Sequence, residues 1–156
     1  MAKRDRRARW RLALLFTVPR TLYKNRLGFL LGRRFIAIEH EGRSTGTTYV
    51  TPVEVIHYDR AANEYFVISA RGDRSDWYRN ISKYPATAVY FGSRKRSVSH
   101  RIVDIDEAIA AMMIYERDHP DAAAAMLDLA GVGGEPTTLA WRSAMEHLPM
   151  VAFKPR

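Results

Sequence analysis

No cysteine occurs in the 156 residues. That excludes a disulfide framework, a thiolate metal site and a cysteine nucleophile, and it suits a reducing cytoplasm. Long apolar runs are missing too. The longest candidate, Leu12 to Val18, is too short to span a bilayer, and no clear small-residue cleavage site comes after it to mark a signal peptide. His40, His57, His100, His119 and His147 are scattered without metal-ligand spacing, and the chain has no Gly-x-Ser-x-Gly elbow and no Walker loop. Acid/base, metal-dependent and nucleotide-hydrolysing chemistries therefore have no motif here, no metal ligands are assigned, and the histidines read as structural or surface residues. Chemistry in such a chain falls to a bound group that the protein holds and orients.

Acidic residues are nearly absent from one end. Residues 1–34 carry 11 of the 25 Lys/Arg against Asp5 alone, so the formal charge of +8 belongs to this leader and the remainder is close to neutral. Trp10, Leu12, Leu14, Leu15, Phe16, Leu22, Leu27, Phe29 and Leu30 are interleaved with its charges, and Pro19 divides it into two helical stretches. A basic amphipathic segment of this kind can rest on an anionic membrane face, which places the protein at the inner face of the cell membrane. It can equally cover an open face of the fold, and the two readings are compatible. Nucleic acid is not expected as a partner, because the charge sits at one end with no reader motif.

Residues 35–156 form one domain, long enough for a single core. Short strands are expected over 34–40, 48–58, 64–70, 87–91, 96–103 and 150–153, the second and third joined by a hairpin turn at Asp59 to Asn63. Pro52 lies inside the longest of these and marks an edge or a bulge, since it cannot donate to a ladder. Helical spacing appears at Asp76 to Ile81, then at Ile105 to Glu116, Ala122 to Ala130 and Thr137 to Met145. Strands joined by short turns point to an antiparallel sheet, so the class is mainly β with helices (α+β), and a small barrel accommodates the order.

Two bends stand out within this frame. The first, Glu41 to Pro52, carries Gly42, Arg43, Ser44, Thr45 and Gly46 at a turn between two strands. The second, Ser69 to Asn80, carries Ala70, Arg71, Gly72, Asp73 and Arg74 ahead of a helix that Asp73 or Ser75 can cap and that has Asp76 in its first turn. A glycine turn with arginines at a helix start offers donors to an anion. Trp77, by itself, reads as core.

The order and spacing of these bends, with the ending Leu148 to Pro155, resemble the deazaflavin (F420)-dependent nitroreductase family over roughly Phe35 to Pro155. The resemblance implies a split β-barrel, an FMN-binding-like antiparallel barrel with an N-terminal helix and a helical insertion before the last strand. It implies an oxidoreductase using coenzyme F420, with FMN as the alternative, that passes hydride to a quinone, a nitro compound or an activated alkene. Arg43, Ser44, Thr45 and Gly46 would hold the cofactor's phosphate, and Arg71 and Arg74, on either side of Gly72, its acidic tail. Ser69, Ala70, Trp77 and Asn80 would border the ring, with Ser69 at the reacting centre, Asp76 would be a further cofactor-binding residue, and Thr51-Pro52 would approach from the neighbouring strand. Ser44 and Tyr49 stand where many members carry basic residues. Ala122 to Trp141 lacks the Tyr-rich segment of nitroimidazole-activating members, so that activity is not implied. Related barrels are often dimers, and a homodimer is compatible with the chain. A non-catalytic barrel that binds F420, a flavin, haem or lipid is the other class of function the sequence admits.

Overall fold

Residues alternate strictly in the two strands at the heart of the molecule. In β3 (Glu64–Ile68) Phe66 and Ile68 face one hydrophobic cluster and Val67 another; in β6 (Met150–Pro155) Met150 and Ala152 face the first and Val151 and Phe153 the second. The period of two thus serves two cores, one inside the barrel and one between the barrel and a helical layer. A computed structural model describes residues 34–156. The leader's expected helices and its membrane contact lie outside the described residues. Among these, no helix is long and apolar enough to cross a membrane.

Six antiparallel strands close into a barrel in the order β1-β2-β3-β6-β5-β4. β1 is Phe35–Glu41, β2 Thr48–Asp59, β4 Ala88–Phe91 and β5 Arg94–Ile102. Helix α1 (Asp76–Lys83) comes after β3 and sends Trp77 and Ile81 into the barrel core beside Ile36, Ile38, Val89, Val98 and Phe153. Helices α2 (Ile105–Asp118), α3 (Pro120–Leu129) and α4 (Thr138–Met145) intervene before β6 and pack on the outer face of β3 and β6 through Met112, Leu127 and Trp141. Asp104 caps α2 by accepting from the amides of Asp106 and Glu107, and Thr137 caps α4 by accepting from Ala140. Pro120 occupies the first turn of α3, where its missing N–H costs nothing. Among the described residues the expected helices and strands are all present, with ends moved by a few residues. Ser75 holds the N-cap position of α1, but its hydroxyl makes no capping bond.

Pro52 explains where the barrel opens. It pairs with Ala37 of β1, whereas β2 meets β3 only from Val55 to Asp59, so the first half of β2 has no partner on its other side. The bulge lies elsewhere, between Val55 and His57. A residue that cannot donate is tolerated on that unpaired side, and the gap it leaves is the mouth of a cleft.

Candidate active-site cleft

A cleft of about 610 Å³ occupies this gap, within the size range of small-molecule and cofactor sites. Five segments line it: the end of β1, the turn 42–45, the unpaired half of β2, the segment leading from β3 into α1, and one face of α3. Its two ends differ in chemistry. Arg43, Ser44, Thr45, Arg71, Asp76 and Asn80 make one end polar and net cationic; Phe35, Val53, Ile56, Ile68, Met126 and Leu129 make the other mostly apolar, with the Glu54 carboxylate among them.

The first bend is a tight turn closed by two backbone bonds, Gly42 N–H to Thr47 O and Gly46 N–H to Gly42 O, each 2.8 Å. Gly46 takes φ +68°, which suits glycine, and stands back from the cleft, while Arg43, Ser44 and Thr45 reach its rim. The second bend is tied by Ser69. Its hydroxyl donates to Gly72 O over 2.6 Å, its amide donates to Pro149 O over 2.9 Å, and Gly72 N–H returns a bond to Ser69 O over 2.8 Å. The knot holds Ala70 and Arg71 at the cleft.

Ten of the fourteen residues expected from sequence line this one cleft: Arg43, Ser44, Thr45, Thr51, Pro52, Ala70, Arg71, Asp76, Trp77 and Asn80. The other four do not. Ser69 is fully buried with its hydroxyl committed to Gly72, so it shapes the bend instead of touching an occupant. Gly72 and Gly46 supply turns, and Arg74 is exposed away from the cleft. The amides of Gly72, Arg74 and Ser75 bond to carbonyls within the second bend, so these three are not free for an anion. Trp77 proves to be both core and wall, 7% exposed, within the barrel cluster and yet lining the cleft.

The bends are joined to each other. Arg43 donates to Asn80 Oδ1 from its backbone N–H (3.1 Å) and from Nη1 (2.9 Å), Nη1 also reaches Asp76 Oδ1 at 3.0 Å, and Lys83 Nζ donates to Arg43 O at 3.0 Å. Asn80 Nδ2 lies 3.0 Å from His40 Nδ1, and His40 Nε2 lies 2.9 Å from Thr51 Oγ1. His40 is only 3% exposed and stacks on Tyr49, the ring centroids 5.9 Å apart. Burial pushes its pKa down, opposed by the Asp76 charge, so the ring is held neutral. At the apolar end Glu54 Oε1 accepts from Tyr115 Oη and from Arg34 Nε, each over 2.8 Å. Burial and the Glu54 carboxylate push the Tyr115 phenol up and keep it protonated.

Sequence reasoning missed His40, Tyr49, Glu54 and the α3 wall. A signal for His40 existed: Ile36 and Ile38 are core, and the next residue on their face of β1 is His40, so an imidazole is carried inward beside the first bend. None existed for Ala122, Met126 and Leu129, which reach the cleft only through tertiary packing. Among the described residues no cluster of three or more His, Cys, Asp or Glu could hold a metal ion.

The chain matches several known proteins. A family model described as F420H(2)-dependent quinone reductase matches residues 4–126. Rv3178 of Mycobacterium tuberculosis, whose name assigns it provisionally to F420H(2)-dependent quinone reduction, is 31% identical over 74 residues, which cover 46% of this chain and 60% of that protein. Among solved structures, one titled F420-H2 dependent reductase (FDR-A) superimposes with a TM-score of 0.53 at 14% identity, over 79% of this chain and 96% of that one. A pyridoxamine 5'-phosphate oxidase-related FMN-binding protein of Nostoc punctiforme gives 0.50 at 16% identity, over 88% and 78%. At such identities the superpositions speak for the fold, a split barrel used by deazaflavin and flavin proteins alike.

Proposed function

The chain belongs to the F420H(2)-dependent quinone reductase family, with coenzyme F420 as its cofactor, and from that premise we propose that it reduces a quinone in the cleft bounded by Arg43, Trp77 and Leu129. The carrying observation is the convergence of both bends on one cleft with a cationic end and an apolar end. The curated relative is matched over only 60% of its length, so activity and acceptor are properties to be measured on this chain itself.

The donor set fits the cofactor. F420 has a flat deazaflavin ring, a phosphate and an acidic tail, and it supplies a hydride when bound in its reduced form. Arg43, Ser44 and Thr45 offer a guanidinium and two hydroxyls for the phosphate. The Arg71 guanidinium makes no hydrogen bond or ion pair among the described residues, which leaves its charge available to tail carboxylates, whereas that of Arg43 is partly offset by Asp76. Trp77, Pro52 and Ala70 are apolar lining of the cleft for the ring to rest on. With Ser69 withdrawn into the bend, Thr51, Asn80 and His40 are the polar groups left beside that lining.

The apolar end is the place for the acceptor. Phe35, Val53, Ile56, Met126 and Leu129 offer apolar surface that suits a lipophilic ring. A quinone fits this lining and agrees with the family; nitro compounds and activated alkenes of similar shape are secondary candidates. A lipophilic acceptor would also give the basic leader a use, bringing the enzyme to the anionic surface in which such acceptors dissolve.

Isothermal titration of the full chain with F420, followed by the absorbance change of F420H2 on adding menadione, tests this directly. Binding in the micromolar range or tighter with quinone-dependent oxidation is expected. No heat at tens of micromolar cofactor would overturn the assignment, and binding without turnover of any acceptor would make the protein a carrier.

A further inference from the structure

A chain of hydrogen bonds fixes the direction of every proton from Arg43 to Thr51. Asn80 Oδ1 is occupied by two donors from Arg43, its backbone N–H and Nη1, so the other end of the amide, Nδ2, must be the group facing His40. An NH2 group only donates, so His40 Nδ1 only accepts. A neutral imidazole that accepts at Nδ1 carries its hydrogen on Nε2, and that nitrogen faces Thr51 Oγ1 at 2.9 Å. The Thr51 oxygen therefore accepts a hydrogen bond from His40 Nε2–H, and its own hydrogen is left to donate. Among the described residues no other side-chain hydrogen bond of Thr51 occurs, and Thr51 lines the cleft.

We propose that His40 is a positioning residue, locked by Asn80 in its Nε2–H form, which turns the Thr51 hydroxyl into a dedicated hydrogen-bond donor directed at an acceptor atom of the ring bound in the cleft. Without this relay a threonine hydroxyl rotates freely and serves equally as donor or acceptor. With it, the site selects for a carbonyl or ring nitrogen at that point and against an N–H. Deazaflavin and flavin rings carry carbonyls and unprotonated nitrogens on their pyrimidine portion, so the inference deepens the cofactor reading above and rests on it. Two further features keep the relay in one state. His40 is buried, which disfavours the doubly protonated ring that would set two donors against each other at Nδ1. Tyr49 stacks on the imidazole, the two planes 24° apart, and steadies it. Arg43 thus has a task besides anion binding: it sets the Asn80 amide, and through it the tautomer of a residue that it does not touch.

The test has two arms. In the first, imidazole nitrogen shifts of the 15N-labelled full chain at pH 7, without cofactor, are expected to show His40 neutral with its proton on Nε2. In Asn80→Asp, whose carboxylate can only accept, Nδ1 is expected to gain a proton. A proton on Nδ1 in the native chain, or an unchanged His40 pattern in Asn80→Asp, would overturn the relay. In the second, F420 affinity is measured for Thr51→Val, Thr51→Ser, His40→Phe and the His40→Phe/Thr51→Val pair. Thr51→Val is expected to weaken binding about tenfold, the usual worth of one well-placed hydrogen bond. Thr51→Ser should restore it, and His40→Phe should cost less than Thr51→Val and add nothing to it. Additive losses, or native affinity in Thr51→Val, would refute the directed donor. If the native chain bound no F420 at all, the cofactor reading would fall while the nitrogen shifts still decided the tautomer.

Discussion

Arg43 and Asn80 are 37 positions apart in the chain, yet Arg43 Nη1 donates to Asn80 Oδ1 over 2.9 Å. One bond between the β1–β2 turn and α1 thereby fixes the relation of the two bends that form the polar end of the cleft, and the same amide reaches His40 on its other side.

Replacing Asn80 with Ala should therefore damage the fold as well as the site. The change leaves the Arg43 amide and His40 Nδ1 without partners, and unpaired buried polar groups cost about 1–3 kcal/mol each. Urea titration is expected to show a clearly lower midpoint at an unchanged slope. Native stability in the variant would mean that water serves these groups as well as Asn80 does.

Arg71→Ala should separate binding from stability. The guanidinium lines the cleft and makes no ion pair among the described residues, so unfolding should change by no more than about 0.5 kcal/mol. Affinity for F420 should fall about tenfold at low ionic strength, with the difference shrinking as salt is added. Affinity for the tail-free deazaflavin ring should stay the same. An equal loss for both ligands would move Arg71 from the tail to the ring.

Gly72→Ala tests the second bend through the backbone. Gly72 has φ +63°, and a Cβ there would stand 2.6 Å from the His147 carbonyl oxygen, so both the conformation and the space exclude a side chain. A loss of about 2 kcal/mol or more is expected in denaturant unfolding, together with weaker cofactor binding because Ala70 and Arg71 shift with the turn. A stable, fully binding variant would show that the bend tolerates another path.

These tests also mark how far the sequence could be read. Tyr65 to Ile68 and Met150 to Phe153 were legible as short unbroken apolar runs, the pattern of strands whose two faces each meet a core, and the helices before the last strand showed in their helical spacing. The bends were legible because glycine, arginine and hydroxyls cluster there. Ser69 was misplaced for a physical reason: a serine ahead of a glycine turn can bond its own turn or face a ligand, and only the 2.6 Å bond to Gly72 O decides between them. The α3 wall was beyond reading, since Met126 and Leu129 keep an ordinary helical spacing that does not say which cavity they border.

Leu129 gives the acceptor end its own test. It lines the cleft and is 45% exposed, so Leu129→Asn should fold normally. The apparent KM for menadione should rise several-fold while F420 affinity stays the same, because only the apolar end is altered. Equal effects on both would place the acceptor nearer the ring wall than we propose.

Acid sensitivity should arise from two imidazoles. Burial lowers the pKa of His40 and His100 from the ordinary 6.5, opposed by the Asp76 charge for the first and a bond to the Ile81 backbone for the second. Below about pH 6.5 the unfolded chain therefore takes up protons that the folded chain refuses, until the lower folded values are passed. Their contribution is full above that pH and shrinks as pH falls through the window beneath it. The carboxylates held below their usual range, Glu39 and Glu107, start from 4.5, so their losses set in at lower pH. Denaturant midpoints at pH 7.5, 6.0 and 5.0 should fall steadily in the native chain and less steeply in His40→Phe and His100→Phe. A flat native profile across that range would show that both rings protonate in the folded state without cost, which their burial argues against.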